Sequence, residues 1–376
     1  VHMSDVDAWK LLRPSWSATS QLSFARNRAH QLLRVPALML RSVRQILRGE
    51  TIERHPPPPL EIPGLWAMAG FGIRLIVRAL RRQLPRVGKI ESWFIAARRG
   101  PQRIDPYLPR PQAMRQIESP NCYYWADPCA VRHAGQNYIF VEEYVYATRR
   151  GRIAVIEVDD DLNPGRVHRV LQTPWHLSYP FVFEWQGDHY MSVESSEAQC
   201  VTLYRAVNFP DQWEPVADLL RGWNIVDATI HHDGKSWYLF ANITESPFGY
   251  DERIWDDLFL FHADSPLGPW HPHPANPIVS DARHARPGGR LFEHKGKLIR
   301  PSQDCSVDYG YGVVFNEVVT LDREHYSERT IGRLEPDWWN GLKGCHTYSA
   351  CEDLEVLDAK TMIWQRRAQE RQVSPS

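Results

Sequence analysis

The sequence is short of the patterns that mark the commoner chemistries. Its six cysteines (Cys122, Cys129, Cys200, Cys305, Cys345 and Cys351) form no CxxC pair, and no Cys/His spacing matches a zinc site. Scattered free thiols of a reducing compartment are the expectation. No GxSxG elbow is present, which argues against a serine hydrolase of that type. The "RPGG" stretch at 286–289 lacks the lysine and following Ser/Thr of a phosphate loop. In the proline-rich "DSPLGPWHPHPANP" at 264–277, His271 and His273 alternate rather than standing one helical turn apart, so no metal is expected there. "DDD" at 159–161 reads as a solvated turn. No apolar run reaches the roughly 18 residues of a spanning helix. A formal net charge of −1 over 376 residues does not suit a polyanion binder. No secretory signal is visible, and the opening "VHM" reads as an expression scar. Neither a cofactor nor a resident metal is expected.

Tryptophan, by contrast, is abundant, at 15 residues. Large aromatics fill β-cores, and they also stack on the C–H faces of sugars. The chain divides by composition near residue 90. Between 25 and 90 stand 13 Lys or Arg against Glu50, Glu53 and Glu61. Two stretches there have helical periodicity. "NRAHQLLRVPALMLRSVRQILRG" is expected to break at Pro36. In "GLWAMAGFGIRLIVRALRRQL", Ala69, Ile73, Ile76, Leu80 and Leu84 fall on one face. "RHPPPPLEIPG" between them reads as a stiff connector. The expected domains are a basic amphipathic helical segment (1–90), a β-domain (91–362) and a polar tail (363–376). The helical segment would either pack on its own domain or meet an anionic membrane surface through residues 25–90. Nucleic acid is not expected, because no reading motif accompanies the charge.

From about 91 the pattern becomes short apolar runs separated by Gly, Pro, Asn and Asp. One hairpin recurs: "DPCAVRHAGQNYIFVEE" from 127, "YPFVFEWQGDHYMSVES" from 179, "DATIHHDGKSWYLFANI" from 227 and "RLFEHKGKLIRPSQD" from 290. Its turn glycines, Gly135, Gly187, Gly234 and Gly296, lie 52, 47 and 62 residues apart. A β-repeat of that period predicts a propeller with one four-stranded blade per repeat. "SWFIAARR" near 92–99 and "GCHTYSACEDLEVLDA" from 344 would join as a fifth blade, closing the ring and removing its open edges. The fold expected is therefore all-β, a five-bladed propeller behind a basic helical segment. A Greek-key sandwich is the alternative.

In a propeller the first strand of each blade runs beside the central axis. Its starting residues here are Asp127, Tyr179, Asp227, Arg286 and His346, where a core would prefer Val or Ile. The second strands end on Glu142 and Glu143, on Glu194, on Asn242, and on Gln303 with Asp304. Carboxylates converging on a pocket suit glycosidic chemistry, with one acid on the leaving oxygen and a second activating water or attacking the sugar. Asp127, Glu194 and Asp227 are the candidates for catalysis. His176, Tyr179, Arg286, Arg300, Gln303, Asp304 and His346 are the candidates for binding, the arginines being suited to an anionic group. Each also has a plain structural reading: turn cap, loop closure or salt bridge.

Six motifs in order carry a family resemblance: "WADP" at 125–128, "HLSYPFVFE" at 176–184, "LYRAVNFPDQW" at 203–213, "GPWHPHPANP" at 268–277, "ARPGGRLF" at 285–292 and "RPSQDCSVDYG" at 300–310. Together, over about 91–352, they resemble the propeller-like module at the N-terminal side of plant glucosamine inositolphosphorylceramide transferases. Related bacterial modules belong to surface-polysaccharide synthesis. That module is in turn similar to five-bladed glycoside hydrolases acting on arabinose-, xylose- and fructose-containing glycans. The resemblance implies that Asp127 is the first acid. Asp227 resembles the second acid, one blade later than the usual order, and Glu194 is the best candidate for the proton donor, outside the usual Glu-x-Pro context. It also offers His346 as the axial histidine that holds a central ion in some hydrolases. The plant proteins have a separate transferase domain, for which no room follows residue 352. The function expected is cleavage or transfer of a glycosidic bond, on a membrane-associated glycan or glycolipid. The alternative is a glycan- or headgroup-binding module without catalysis, and a third reading is a scaffold docked to a membrane. The expected location is cytoplasmic, or peripheral on the inner face of the membrane, with oligomeric state open.

Overall fold

The computed structural model describes residues 2–5, 8–11, 15–19, 23–49, 64–83, 87–101, 103–244 and 256–365. The chain forms two compact units, one built from the residues up to Gly88 and one from the residues that begin at Lys89. The first holds a hairpin of β1 (His2–Asp5) and β2 (Ala8–Leu11), then helices α1 (Phe24–Leu47) and α2 (Leu65–Gln83). Ser23 caps α1 by accepting the Arg26 N–H at 3.1 Å. Pro36 does not break α1, contrary to the expectation from sequence. Proline deletes one backbone hydrogen bond there, and a full turn or more of helix on each side carries the element through. The proline-rich connector lies outside the described residues up to position 63. No described helix is long and apolar enough to cross a membrane.

The second unit is a five-bladed β-propeller. Its strands, in chain order, begin with β3 (Lys89–Arg99) and β4 (Arg115–Ile117). Blade 1 follows as β5 (Tyr123–His133), β6 (Gln136–Val145), β7 (Arg150–Val158) and β8 (Pro164–Leu171). Blade 2 is β9 (Ser178–Trp185), β10 (Asp188–Ser195), β11 (Cys200–Asn208) and β12 (Gln212–Arg221). Blade 3 is β13 (Asn224–His232), β14 (Trp237–Thr244), β15 (Asp257–Ala263) and β16 (His271–Pro272), with β17 (Val279–Ser280) also on β15. Blade 4 is β18 (Phe292–His294), β19 (Lys297–Asp304), β20 (Gly312–Leu321) and β21 (Tyr326–Leu334). The last strands, β22 (Tyr348–Cys351) and β23 (Leu354–Trp364), complete a sheet in the order β22-β23-β3-β4. The fifth blade is thus made of early and late strands, as expected. β23 pairs with β3 along its whole length, from Leu354 opposite Arg99 to Trp364 opposite Lys89.

Hairpin chemistry explains the repeat. In blades 1, 2 and 4 the first two strands are joined by two-residue turns with both residues at positive φ: Ala134–Gly135, Gln186–Gly187 and Lys295–Gly296. That backbone twist matches the flanking strands. Central strands are buried on both faces, so their apolar runs are continuous rather than alternating. On β3, Phe94 and Ala96 pack toward blade 4, and Ile95 and Ala97 toward blade 1. Each of the five blade-to-blade interfaces has its own apolar core. The six cysteines are all free thiols.

Gly289, at φ 126°, packs its Cα directly against the Tyr348 carbonyl oxygen, so an added methyl collides with backbone. Gly187, at φ 84°, faces open space. We expect Gly289→Ala to cost about 3 kcal/mol or more and Gly187→Ala about 1 kcal/mol in chemical unfolding. Equal costs would contradict the packing described.

Candidate active site

The axial residues are placed by one device used three times. In β5, β9 and β13 a single extra residue enters the ladder, so that Asp127–Pro128 faces Val141, Tyr179–Pro180 faces Val193 and Asp227–Ala228 faces Ala241. The first residue of each bulge is left-handed: Asp127 at φ 52°, Tyr179 at 48° and Asp227 at 53°. Non-glycine residues adopt this region at a cost, and bulges of this kind re-aim side chains. Tyr179 donates its N–H to Asp127 Oδ2 at 3.2 Å. Asp127 donates its N–H to Asp358 Oδ2 at 3.1 Å, and Asp227 donates its N–H to Glu194 Oε2 at 3.0 Å. Carboxyl groups thus hold the strained backbone of neighbouring blades.

Four carboxyl groups and their partners occupy this centre, all buried: Asp127, Glu142, Glu194 and Asp227. Asp227 Oδ2 accepts from Arg286 Nε at 2.5 Å and from Gln303 Nε2 at 2.6 Å. Arg286 also lies over the Tyr309 ring, 5.0 Å from its centre. Asp127 Oδ1 accepts from Thr347 Oγ1 at 3.1 Å. Burial pushes the Asp127 carboxyl up to about 6, against the pull of His346. Glu142 is held well above the usual carboxyl range by burial, then by Asp127 and Glu194. Glu194 is held well above it by burial and then by Asp227, while Arg286 pulls the other way.

His346 lies flat on Trp93, with ring centres 4.2 Å apart, and its Nδ1 stands 2.5 Å from Asp358 Oδ2. Burial acts against a charge on this ring, but Asp358 and Asp127 outweigh it and raise its pKa. Asp127, His346 and Asp358 bring donor atoms within 4.8 Å of one another, where the axial ion implied by the hydrolase resemblance would sit. The donor set does not fit an ion. Asp358 Oδ1 already accepts the N–H groups of His346 and Thr347, at 2.8 and 3.0 Å, and Oδ2 accepts Asp127 N–H and His346 Nδ1. All four of its lone-pair directions are taken, and the imidazolium supplies the positive charge.

Of the residues named from sequence, Asp127, Tyr179, Glu194, Asp227, Arg286, Gln303 and His346 meet here. His176 sits at the edge: its Nδ1 accepts the Gly151 N–H at 2.9 Å, and its Nε2 is 3.5 Å from Glu142 Oε1, an oxygen with no hydrogen-bond partner. Burial lowers the His176 pKa, which keeps the ring neutral. Arg300 and Asp304 do not join the group. Arg300 is buried against Glu328 at 2.6 Å and the His284 carbonyl at 2.8 Å. Burial alone would raise the Glu328 carboxyl; Arg300 reverses this and brings it down to about 2. Asp304 pairs with Arg333 at 2.8 Å and caps Ser306. On β19, Arg300 and Asp304 share one strand face and Gln303 lies on the other. Glu143 likewise faces outward to Arg152 and Arg169. Sequence reasoning left Asp358, Thr347, Trp93 and Tyr309 unnamed. Only the fifth-blade pairing, which places β23 beside the axis, could have singled out Asp358.

The sequence model described as "Glucosamine inositolphosphorylceramide transferase 1, N-terminal" matches residues 112–349. The chain belongs to this family. The resemblance expected from the six motifs is borne out. The glucosamine inositolphosphorylceramide transferase 1 of Arabidopsis thaliana is 35% identical over 233 residues, 59% of this chain and 30% of that protein. Its counterpart in Oryza sativa subsp. japonica is 32% identical over 230 residues, with the same shares. The chain thus spans about 30% of the length of these family members. Among solved structures, a GH43_1 enzyme from Xanthomonas citri aligns at TM-score 0.44 and 15% identity, over 66% of this chain and 90% of that one. An inulosucrase from Halalkalicoccus jeotgali aligns at TM-score 0.43 and 17% identity, over 56% and 70%.

Because the Asp127 carboxyl rises from 3.8 to about 6 on folding, the native state binds more protons than the unfolded chain between those values. Its contribution to stability therefore falls as pH rises through that window. The expected outcome is that Asp127→Asn gains thermal stability relative to wild type as pH increases from about 4 to about 7. A difference that is flat or opposite in sign would contradict the site electrostatics.

Proposed function

We propose that this chain is a glycan-active enzyme that cleaves or transfers a glycosidic bond at the propeller axis. The supporting observation is the proton inventory of the centre. Glu194 and Glu142 are held toward their protonated forms, next to Asp127 at about 6 and to Asp227 paired with Arg286. An acid that keeps its proton near neutral pH, beside a carboxylate able to lose one, is what protonation of a leaving oxygen requires. Glu194 acts as the acid. Asp127 acts as base or nucleophile, and its charge is balanced by His346. Asp227, fixed by Arg286 and Gln303, keeps the proton on Glu194. Glu142 lies against Asp127 and, through His176, extends the site to its edge. An alcohol in place of water turns the same groups from hydrolysis to transfer.

The name of the relatives joins a sugar to a sphingolipid, which favours a glycolipid or lipid-linked sugar as substrate. The second reading is a glycan- or headgroup-binding module. One observation favours it: Glu194 Oε2 is already engaged by the Asp227 N–H, a structural task. Turnover across a panel of aryl glycosides and lipid-linked oligosaccharides separates the two. Asp127→Asn and Glu194→Gln are each expected to lose about 10²- to 10⁴-fold in kcat while remaining folded. The kcat/KM profile is expected to rise with pH through about 6 as Asp127 ionises, and to fall on the alkaline side as Glu194 loses its proton. No turnover, together with glycan binding unchanged in both variants, would replace the enzyme with the binding module.

A further inference from the structure

The helical segment is turned inside out relative to a water-soluble bundle. On α1, Leu32, Met39 and Val43 are 61, 54 and 50% exposed, whereas Arg41 and Ser42 are 8 and 2% exposed. The three apolar residues fall within one arc of the helix. Its polar side turns inward: Arg34 donates to Ser17 Oγ at 2.8 Å and to Ser15 Oγ at 2.6 Å. On α2, the apolar face read from the sequence is open, with Ile73 63%, Ile76 62% and Leu80 53% exposed, and Trp66 stands out at 87%. Burying such a face in an apolar medium is favourable. Contiguous exposed apolar area of this kind marks an interaction surface.

The charge pattern selects the occupant. Neither helix contains an acidic residue, while α1 carries Arg26, Arg28, Arg34, Arg41 and Arg44 and α2 carries Arg74, Arg78, Arg81 and Arg82. Arg26, Arg28, Arg44 and Arg74 are exposed. A second copy of the chain would bring the same positive helices against one another, which costs free energy. A nucleic acid would neutralise the arginines and leave the apolar arcs in water. An anionic lipid surface meets both needs, apolar residues entering the acyl boundary and arginines reaching headgroups. We propose that α1 and α2 lie in the interface of an anionic bilayer and hold the chain there without spanning it.

The test is flotation of the full chain with vesicles of phosphatidylcholine alone and of phosphatidylcholine with about a third phosphatidylserine. Partitioning is expected to be at least about tenfold greater on the anionic vesicles and to fall with added salt. Ile73→Glu with Ile76→Glu is expected to lose most of it, and Arg74→Ser about fivefold. Both variants should keep the thermal unfolding of wild type, because these side chains are exposed. Equal partitioning on the two vesicle types, or none, would overturn the proposal. So would a concentration-dependent dimer, seen by light scattering, that the double variant abolishes while vesicle binding is absent.

Discussion

One extra residue in each of three inner strands decides what this propeller presents at its axis. A regular ladder would point an apolar side chain between the blades at these positions. The bulge instead turns Asp127, Tyr179 and Asp227 into the left-handed region and toward the centre. The strain persists because neighbouring blades over-determine it. Asp358 of blade 5 holds the Asp127 amide, Asp127 the Tyr179 amide and Glu194 the Asp227 amide. The Tyr179 hydroxyl, bonded to Thr229 at 2.8 Å and to the Gly289 N–H at 2.8 Å, continues the circuit into blades 3 and 4. Position and electrostatics are therefore linked: Asp127 and Glu194, which hold the backbone of the next blade, are also carboxyls that burial pushes upward.

The buried charged groups described at and beside the axis are mostly paired. Asp227 has Arg286, and Asp358 has His346. Arg300 and Glu328 form a similar pair in blade 4, joined by Tyr326 at 2.5 Å to Glu328. Removing one member of such a pair leaves an uncompensated buried charge, typically a loss of about 3–5 kcal/mol. Glu142 is the exception. Its Oε1 is buried without a hydrogen bond, beside the neutral ring of His176. An unsatisfied buried carboxyl oxygen is costly, and it is tolerated where a ligand or a proton is expected.

Much of this was legible in the sequence, for local reasons. The turn glycines and the runs around them are short-range signals, so the hairpins and their period could be read directly. Joining early and late strands followed from the need to remove sheet edges. The ends of the inner strands could be named because polar residues at repeated positions contradict core packing. What could not be read depends on contacts remote in sequence. Asp358 lies in the unremarkable "EVLDAK" and acquires its role only when β23 closes the ring, 231 residues from Asp127. Arg300 looked like a ligand for an anion until the fold supplied Glu328. Pro36 looked like a helix break because proline's local penalty is visible and the helix on either side of it is not weighed by that rule.

The central claim is that buried axial carboxyls carry protons near neutral pH. Infrared difference spectroscopy of the protonated carboxyl C=O band, recorded while pH is stepped from about 5 to 8, reads this directly. The account predicts bands that persist above pH 6, one component disappearing in Glu142→Gln and another in Glu194→Gln. A spectrum in which every carboxyl is ionised by pH 5, in wild type and variants alike, would contradict it.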